Sequence, residues 1–348
     1  EVVLGNGKLL RTGVFPGFGP DLAPLFVQSN FGVVTALRVD LLPVPERFES
    51  FSLSIPADAG LEVLVDRLAA LRREGVLTSL VHIANALRTM TSLSTCPPAF
   101  AHTPVTNEMA IDHLSTALVR FGYWTALGGL YGSRAEVKAR KTVLKRAVKD
   151  LGQIRFFTSA SIERLLAILP RLPGEAFRAA AGGLRQYRVA HNVMSGRPSD
   201  EPLESIRWRN ADADRQGVIW FGPTYPADGQ SARRATALAE RFFAEHGFEC
   251  PITQTLVKPN RIIGILSILF DRRDDEEKAR AYRLYDALFD GFTEAGLGCY
   301  RTSIAGMGHG AFYDDEKKTV LGDLKAVFDP NGIIAAGRYQ IGTTAADT

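Results

Sequence analysis

The stretch PITQTLVKPNRIIGILSILFD, residues 251–271, carries the pattern that decides the fold class. Its two parts, 251–258 and 261–271, are runs of apolar and β-branched residues that predict successive strands. Three elements are predicted around it, a strand and a helix before it and a helix after it: 218–223, 231–246 and 275–295. The order β, α, β, β, α favours an α+β domain in which helices cover one face of an antiparallel sheet.

Further alternating elements are predicted on both sides of this segment. Asn6 and Gly7 predict a β-hairpin near the start of the chain, because an Asn-Gly pair readily adopts the positive φ angles of a tight turn. Apolar spacing predicts other strands at 31–41, 79–83 and 123–131. It also predicts helices at 60–73, 106–118, 134–150, 162–168 and 314–327. No convincing internal repeat is found.

Composition excludes several classes of protein. The 348 residues are 46% hydrophobic, which is enough to bury a large core. The 41 basic and 38 acidic residues are interspersed and leave a net charge of +3, so nucleic acid is not an expected partner. No apolar run reaches the roughly 18 residues that a membrane-spanning helix needs. A soluble protein is therefore expected, cytoplasmic rather than periplasmic.

Cysteine and histidine are not spaced like metal ligands. Cys96, Cys250 and Cys299 lie far apart in the chain, and the six histidines are scattered without an HExxH motif. We therefore expect neither a disulfide framework nor a bound metal. Cys250 and Cys299 are interpreted as small buried apolar residues.

The segment FDPNGIIAAGRY, residues 328–339, follows a predicted helix and combines turn-forming residues with a final cation. It resembles the C-terminal "DPNGILAPGK/R" signature of the vanillyl-alcohol oxidase and 4-cresol dehydrogenase family of flavoenzymes, where the signature passes the pyrimidine end of the FAD ring. Two more stretches resemble family motifs in the same order, QSNFGVVT at 28–35 and VIWFGP at 218–223. The resemblance runs from Glu1 to Gly342 and implies FAD as the cofactor.

The resemblance implies that five residues bind the cofactor: Gly32, Val33, Val34, Asn331 and Arg338. In the family, the glycine lets a strand approach the flavin nucleotide, since a missing Cβ leaves the main-chain amides accessible. A cation after the "APG" position stabilises the negative charge of reduced flavin. Judged from the residues alone, Gly32 also suits a packing role and Arg338 a salt-bridged surface arginine.

Tyr300 and Arg301 match a Tyr-Arg pair that grips the phenolic oxygen of the substrate in the family. A guanidinium and a hydroxyl donor lower the pKa of a phenol by stabilising its anion, and the anion is easier to oxidise. The resemblance also assigns Trp220 and Gln254 to the substrate pocket. The structural alternatives are a surface arginine beside a half-buried tyrosine, a core-filling tryptophan and a solvent-facing strand glutamine.

One departure from the family concerns the attachment of the flavin. Residues 259–273 align without gaps on the family's "PRDMHHVIxVLYDRT", with Ile263 and Gly264 in place of the two histidines. In the oxidase branch one of those histidines is bonded to the flavin, and the tyrosine used by the dehydrogenase branch has no counterpart at 205–217. We expect FAD to be held non-covalently, or tethered by residues outside this chain.

The resemblance also implies the domain organisation: 1–55 as the end of an FAD-binding α+β domain, 56–297 as a cap domain whose antiparallel sheet is flanked by helices, and 298–348 as a return to the FAD-binding domain. The family's glycine-rich diphosphate loop has no counterpart here. An FAD-domain segment is therefore expected in cis or in trans, and the isolated chain is expected to be inactive.

The implied activity is hydride transfer from the benzylic carbon of a para-substituted phenol to FAD. Oxygen or a cytochrome-like protein would accept the electrons, and a homo-oligomer is expected. Two alternatives stay open. The first is a non-enzymatic substrate-binding or scaffold subunit with a decayed flavin site, and the second is a flavin dehydrogenase of 2-hydroxy acids.

Overall fold

The computed structural model describes residues 1–13, 19–101, 103–116, 120–210, 212, 214–307, 309 and 314–342. The strands in these residues are β1 Val2–Leu4, β2 Leu9–Leu10, β3 Gly32–Val34, β4 Arg47–Ile55, β5 Val81–Asn85, β6 Trp124–Gly132, β7 Gln153–Phe157, β8 Gln216–Phe221, β9 Thr224–Pro226, β10 Ile252–Lys258 and β11 Arg261–Asp271. The helices are α1 Leu61–Arg73, α2 Ala86–Leu93, α3 Asn107–Leu114, α4 Arg134–Ala147, α5 Ser159–Ile168, α6 Glu175–Met194, α7 Gly229–Glu245, α8 Asp275–Glu294 and α9 Asp315–Phe328. None of the helices in the described residues combines the length and the apolarity needed to cross a membrane.

The chain forms two compact units, one from Glu1–Pro43 together with Arg301–Thr348 and the other from Val44–Tyr300. The smaller unit contains a three-stranded sheet of order β2-β1-β3, in which the predicted hairpin is the β1–β2 pair. The division after Pro43 leaves β4 in the larger unit. The resemblance, in contrast, put the end of its first segment at residue 55.

The larger unit is built on one eight-stranded sheet. Its strands follow the order β7-β4-β6-β5-β10-β11-β8, and β9 pairs with β11. All these pairs are antiparallel. The two strands predicted within 251–271 form the hairpin β10–β11. The α+β class with an antiparallel sheet flanked by helices is confirmed.

Two halves of this sheet share one strand order. Apart from inserted helices, the first half runs β4, α1, β5, β6, α4, β7, and its strands lie in the order fourth, first, third, second. The second half runs β8, α7, β10, β11, α8, apart from the short β9, and its strands repeat the order first, third, second. The halves meet where the second strand of each, β5 and β10, pair with one another. The two halves repeat a strand order and not a sequence, so a comparison of residues does not detect the repeat.

The sheet of the larger unit has two different faces. We define the inner face by Phe51, Leu53 and Ile55 of β4, which are buried, and the outer face by the alternate residues Ser50, Ser52 and Ser54. On the inner face, the buried ring of Phe221 in β8 contacts three aromatic rings of α8: Tyr285, Phe289 and Phe292. The predicted helices α1, α7 and α8 each bury a face of apolar residues.

Helices also lie against the outer face, which corrects the expectation of helices on one face. His191 of α6 lies with Nδ1 2.7 Å from Oγ of Ser50. Leu269 of β11 packs against an apolar cluster that contains Met90 of α2. The sequence pattern predicts neither helix. In α6, Gly182 and Gly183 each disfavour a helix by about 1 kcal/mol relative to alanine, so packing against the sheet stabilises it.

The side chain of Asn85 stabilises the junction of the two halves. The buried side chain of Asn85, at the end of β5, accepts hydrogen bonds from the N–H groups of Arg88 and Ile252 and donates one to the carbonyl of Cys250. Asn85→Ala should lower the free energy of unfolding by about 2–4 kcal/mol, because it removes a helix cap and leaves buried backbone groups unpaired. Urea denaturation should show a lower midpoint with an unchanged slope.

The matched control is Asn260→Ala, in the exposed turn between β10 and β11. Its expected effect is below about 0.5 kcal/mol, as for most surface substitutions. Equal losses of stability in both variants would contradict the role assigned to Asn85.

Candidate functional site

Tyr300 is anchored to the end of β8. Its N–H donates to the carbonyl oxygen of Gly222 at 3.1 Å, and Cys299 before it forms an antiparallel bridge with Pro223. A Cβ added to Gly222 would lie 2.6 Å from Cε1 of the Tyr300 ring, so only glycine leaves room for the ring. The Tyr300 side chain is nevertheless 42% exposed. The backbone of Gly222 thus holds the side chain of Tyr300 in place, while part of this side chain stays accessible to a ligand.

Trp220 is connected to Tyr300 through Gly222, the residue that contacts the Tyr300 ring. It is on the outer face of β8, opposite Ser267 of β11, and is 53% exposed. It precedes Gly222, the residue that contacts the Tyr300 ring, by two positions. The core-filling alternative does not apply to a side chain with this exposure. The structure therefore brings two accessible aromatic side chains to the same end of β8.

Gln254 is separated from Trp220 by the sheet itself. It lies on the inner face, fully buried, where its Oε1 accepts from the hydroxyl of Tyr225 at 3.1 Å. Its Nε2 donates to Oγ1 of Thr236 at 3.0 Å. Side chains on opposite faces of a strand pair cannot line one pocket on that sheet. The expected pairing of Gln254 with Trp220 and the alternative of a solvent-facing glutamine are both corrected.

Arg301 directly follows Tyr300 and is exposed. It is the first residue of the second segment of the smaller unit, whereas Tyr300 is the last residue of the larger one. Its guanidinium therefore presents a positive charge at the surface of the smaller unit.

Gly32, Val33 and Val34 form β3, an edge strand of the smaller unit's sheet. A Cβ at Gly32 would lie 2.5 Å from Cγ1 of Val2 on β1, so strand packing by itself explains the glycine. Val33 and Val34 are exposed. No strand of the described residues covers the outer edge of β3, where main-chain hydrogen-bonding groups remain.

Arg338 lies beyond α9 and is partly buried. The carbon of its guanidinium is 5.1 Å from the centroid of the Tyr339 ring, within the range of a cation–π contact. Among the residues that the structure describes, no carboxylate forms an ion pair with it. The alternative of a salt-bridged surface arginine is therefore not observed there. Asn331 is exposed in the preceding turn, beside Gly332 with its φ of 62°.

The sequence analysis missed the polar group that organises this segment. Nζ of Lys325 lies 2.6 Å from Oδ2 of Asp329, and the two side chains are almost completely buried. Burial by itself raises the pKa of Asp329, but Lys325 and the N–H groups of Ile334 and Ile333 hold that pKa below its usual range. The available signal was a lysine four residues before an aspartate at a helix end, a spacing that puts both on one side.

His82 is a second residue that the sequence analysis did not single out. It lies on β5, and its Nδ1 is 3.0 Å from Oγ1 of Thr255 on the neighbouring β10. Burial, with a contribution from the positive charge of Arg88, lowers the pKa of His82. The lowered pKa favours the neutral form of the imidazole.

The two positions that correspond to the family's histidines face opposite ways on β11. Ile263 lies on the outer face, and Gly264 lies on the inner face opposite Gln254. A Cβ at Gly264 would lie 3.0 Å from Cγ of Pro223 and 3.3 Å from the hydroxyl of Tyr225. A larger side chain at position 264 would have to displace this packing.

Comparison with known proteins identifies relatives, although no family profile matches the chain. The chain is 27% identical over 363 residues to the 4-cresol dehydrogenase (hydroxylating) flavoprotein subunit of Pseudomonas putida, a match that covers 98% of this chain and 63% of that protein. It is 28% identical over 370 residues to the 1'-carboxy-chondrochloren decarboxylase of Chondromyces crocatus, covering 98% of this chain and 67% of that protein.

Solved structures agree with these relatives. The structure of p-cresol methylhydroxylase with substrate bound matches with a TM-score of 0.81 at 25% identity, over 98% of this chain and 64% of that one. The isoeugenol complex of 4-ethylphenol oxidase from Gulosibacter chungangensis shares the fold, with a TM-score of 0.81 at 22% identity, over 98% of this chain and 65% of that one. The predicted relationship is confirmed, and the chain spans 63–67% of the length of these four proteins.

Cys299 offers a probe of the packing beside Tyr300. Burial raises the pKa of its thiol to about 12, although a hydrogen bond with the backbone of Gly222 opposes the rise. At pH 8 a thiol-labelling reagent should modify Cys299 at least about a hundredfold more slowly in the folded protein than in urea, because the thiolate is the reactive form. Mass spectrometry of the labelled peptide measures both rates.

Gly222→Ala provides the comparison for this measurement. The added methyl group must displace the Tyr300 ring, so labelling of Cys299 in the folded variant should become faster. Equal rates in folded wild-type protein and in urea would contradict the packing described for Cys299.

Proposed function

We propose, from this relationship to the 4-cresol dehydrogenase flavoproteins, that the chain is the part of an FAD-dependent oxidoreductase that binds a para-substituted phenol and the flavin ring. The observation that carries the proposal is the match to p-cresol methylhydroxylase with substrate bound. It extends over 98% of this chain at 25% identity with a TM-score of 0.81. Such an extended match supports carrying the Tyr-Arg pair over to Tyr300 and Arg301.

Tyr300 and Arg301 are the proposed binding group for the phenolic oxygen. The hydroxyl of Tyr300 donates a hydrogen bond to that oxygen, and the guanidinium of Arg301 places a positive charge beside it. Both effects lower the pKa of the bound phenol. The resulting phenolate is electron-rich and releases hydride from its benzylic carbon more readily than the neutral phenol does. The anchoring of Tyr300 on Gly222 supports this role, because the ring is already fixed before a substrate binds.

Trp220 is the proposed wall of the substrate pocket. An accessible indole offers a flat apolar surface to an aromatic substrate, and Trp220 is exposed on the outer face. Gln254 has no part in this pocket, because its amide is buried and bonded to Tyr225 and Thr236. An amide also cannot act as a base at neutral pH.

The smaller unit carries groups that fit the pyrimidine end of FAD. FAD, when bound, accepts the hydride that the substrate loses. Arg338 would stabilise the negative charge of the reduced ring, and Asn331 and the outer edge of Gly32–Val34 offer polar groups to its rim. The buried Oδ1 of Asn30 accepts no hydrogen bond within the described residues, which leaves an acceptor in this region. This mixture of a cation, donors and acceptors suits a ring edge of mixed polarity.

A further protein segment is proposed to complete the FAD site, in cis or in trans. Residues 37–42 of the smaller unit expose four large apolar side chains, of which Leu41 is 82% exposed. Such a run is typical of a surface that other protein covers. The greater length of the relatives supports this view. Oxygen or a cytochrome-like protein is the proposed electron acceptor, and a homo-oligomer is the proposed assembly.

A second candidate reaction acts on a carboxylated phenol, from which the carboxyl group would leave as CO2 while a hydride from the same substrate would pass to bound FAD. The 28% identity to the 1'-carboxy-chondrochloren decarboxylase favours it. A guanidinium binds a carboxylate as well as a phenolate, so Arg301 suits either substrate.

Anaerobic reduction of the FAD-loaded protein, prepared with the segment that completes its FAD site, tests the proposal. A 4-alkylphenol should bleach the visible flavin absorbance, whereas a 2-hydroxy acid should not. Bleaching only by a carboxylated phenol would favour the second candidate. A protein that binds FAD but is reduced by none of these compounds, or that binds no FAD, would contradict the proposed oxidation and favour the non-enzymatic alternative.

Arg301→Ala should slow flavin reduction by a 4-alkylphenol by about a hundredfold or more, the usual effect of removing a group that stabilises a developing charge. The pH at which reduction becomes fast should rise, because the bound phenol loses the cation that lowers its pKa. Stopped-flow absorbance measures both effects. Arg73→Ala, at the exposed end of α1, is the matched control and should leave the rate unchanged. A rate within about twofold of wild type in Arg301→Ala would exclude the proposed charge role.

The attachment of FAD can be tested separately. Ile263 and Gly264 have no side-chain nitrogen to bond with the flavin. Acid precipitation of the FAD-loaded protein should therefore leave the flavin in the supernatant. Flavin that stays with the denatured protein and maps to a peptide of this chain would contradict the non-covalent proposal.

A further inference from the structure

A buried ion pair lies in the smaller unit. Lys325 in α9 and Asp329 just after the helix are 7% and 0% exposed, with 2.6 Å between Nζ and Oδ2. Removing two charges from water is costly, and in such a site the cost is offset only by close pairing and further hydrogen bonds. Both side chains make such bonds to main-chain groups.

These bonds hold the start of the segment that carries Arg338. Nζ of Lys325 donates to the carbonyl oxygen of Ile334 at 2.7 Å and to that of Asn30 at 2.6 Å. The carboxylate of Asp329 accepts from the N–H groups of Ile333 at 3.1 Å and Ile334 at 2.8 Å. The pair thus fixes the backbone four residues before Arg338.

Asn30 holds both ends of the same segment. Its Nδ2 donates to the carbonyl oxygens of Ala335 at 3.3 Å and Ile341 at 3.2 Å. Its own carbonyl accepts from Lys325, so the side chain and the main chain of one residue connect the ion pair to the segment. Arg338 lies between these two attachment points.

The conformation of the segment needs such support. Ala335, Tyr339 and Gln340 adopt φ values of 43°, 57° and 57°, in the left-handed region that residues with a Cβ rarely occupy. Strained backbone of this kind persists only where surrounding contacts determine it. The hydrogen bonds of Lys325, Asp329 and Asn30 to the backbone of the segment provide this support.

We propose that Lys325 and Asp329 are positioning residues for Arg338, which they hold, together with Asn30, in the conformation in which its guanidinium faces the pyrimidine end of FAD. The inference rests on the proposed function for the role of Arg338. The fixing of the segment is a separate claim that can be tested without FAD. An ion pair that only stabilised the fold would raise the free energy of unfolding. It would have no specific effect on the position of Arg338.

Trypsin cleavage after Arg338 tests the fixing of the segment. In Asp329→Asn the segment should be cleaved about tenfold faster or more, because cleavage follows the population of the opened form. Mass spectrometry identifies the fragment that begins at Tyr339. Asn30→Ala keeps the ion pair and should act in the same direction, so it replaces Asp329→Asn if that variant does not fold. Asp323→Asn, exposed on α9, is the matched control and should leave the rate unchanged.

The reduction potential of bound FAD tests the action through Arg338. Arg338→Ala should lower the potential, since the reduced, anionic ring loses its cation. Asp329→Asn should also lower it in the wild-type background but should have no effect when Arg338→Ala is already present, because only an effect through Arg338 disappears in such a double-mutant cycle. An equal shift in both backgrounds, or unchanged cleavage after Arg338 in a folded Asp329→Asn variant, would overturn the proposal. If Arg338→Ala does not change the potential while cleavage still accelerates, the proposed role of Arg338 fails and the fixing of the segment stands.

Discussion

The hydrogen-bonded pairing of β5 with β10 is the constraint on which the larger unit depends. It joins two halves of the same strand order into one sheet, and without it each half would expose an edge strand. Val81 and Leu256 lie opposite each other across this junction and are fully buried, so the apolar interior is continuous from one half to the other. Asn85 reinforces the junction, because its side chain bonds to the beginning of the second half's hairpin.

The register of this junction also determines which side chains lie on each face of the sheet. Because side chains alternate between faces, a shift of one residue in β10 would exchange the places of Thr253 and Gln254. In the observed register, Gln254 is enclosed among the inner-face helices, whereas Trp220 reaches the outer face. Gly222 then leaves the space in which the Tyr300 ring packs. The accessible aromatic pair is thus a consequence of strand pairing and of one glycine.

The smaller unit is organised by charge as well as by apolar packing. Phe31, Tyr339 and Ile341 form its buried apolar cluster. Beside that cluster, Lys325 and Asp329 are removed from water and bonded to the backbone of the segment that carries Arg338. A hydrogen-bonded ion pair fixes the orientation of the groups around it better than apolar contacts do, because its hydrogen bonds form in only one arrangement of those groups. That property suits the proposed role of the segment, which is to hold the guanidinium of Arg338 in one place.

Local patterns in the sequence determined the α+β class, the β10–β11 hairpin and the relationship to the cresol dehydrogenase flavoproteins, because periodicity, turns and motifs are read from neighbouring residues. The motifs also pointed to Tyr300, Arg301 and Arg338, whose chemistry remains a proposal. Only the tertiary structure decided that Gln254 is a core residue, that Gly32 packs against Val2, and that Asn30, Lys325 and Asp329 form one group. These outcomes depend on strand register and on contacts between residues that are distant in the chain, and neither can be read from a single run of sequence.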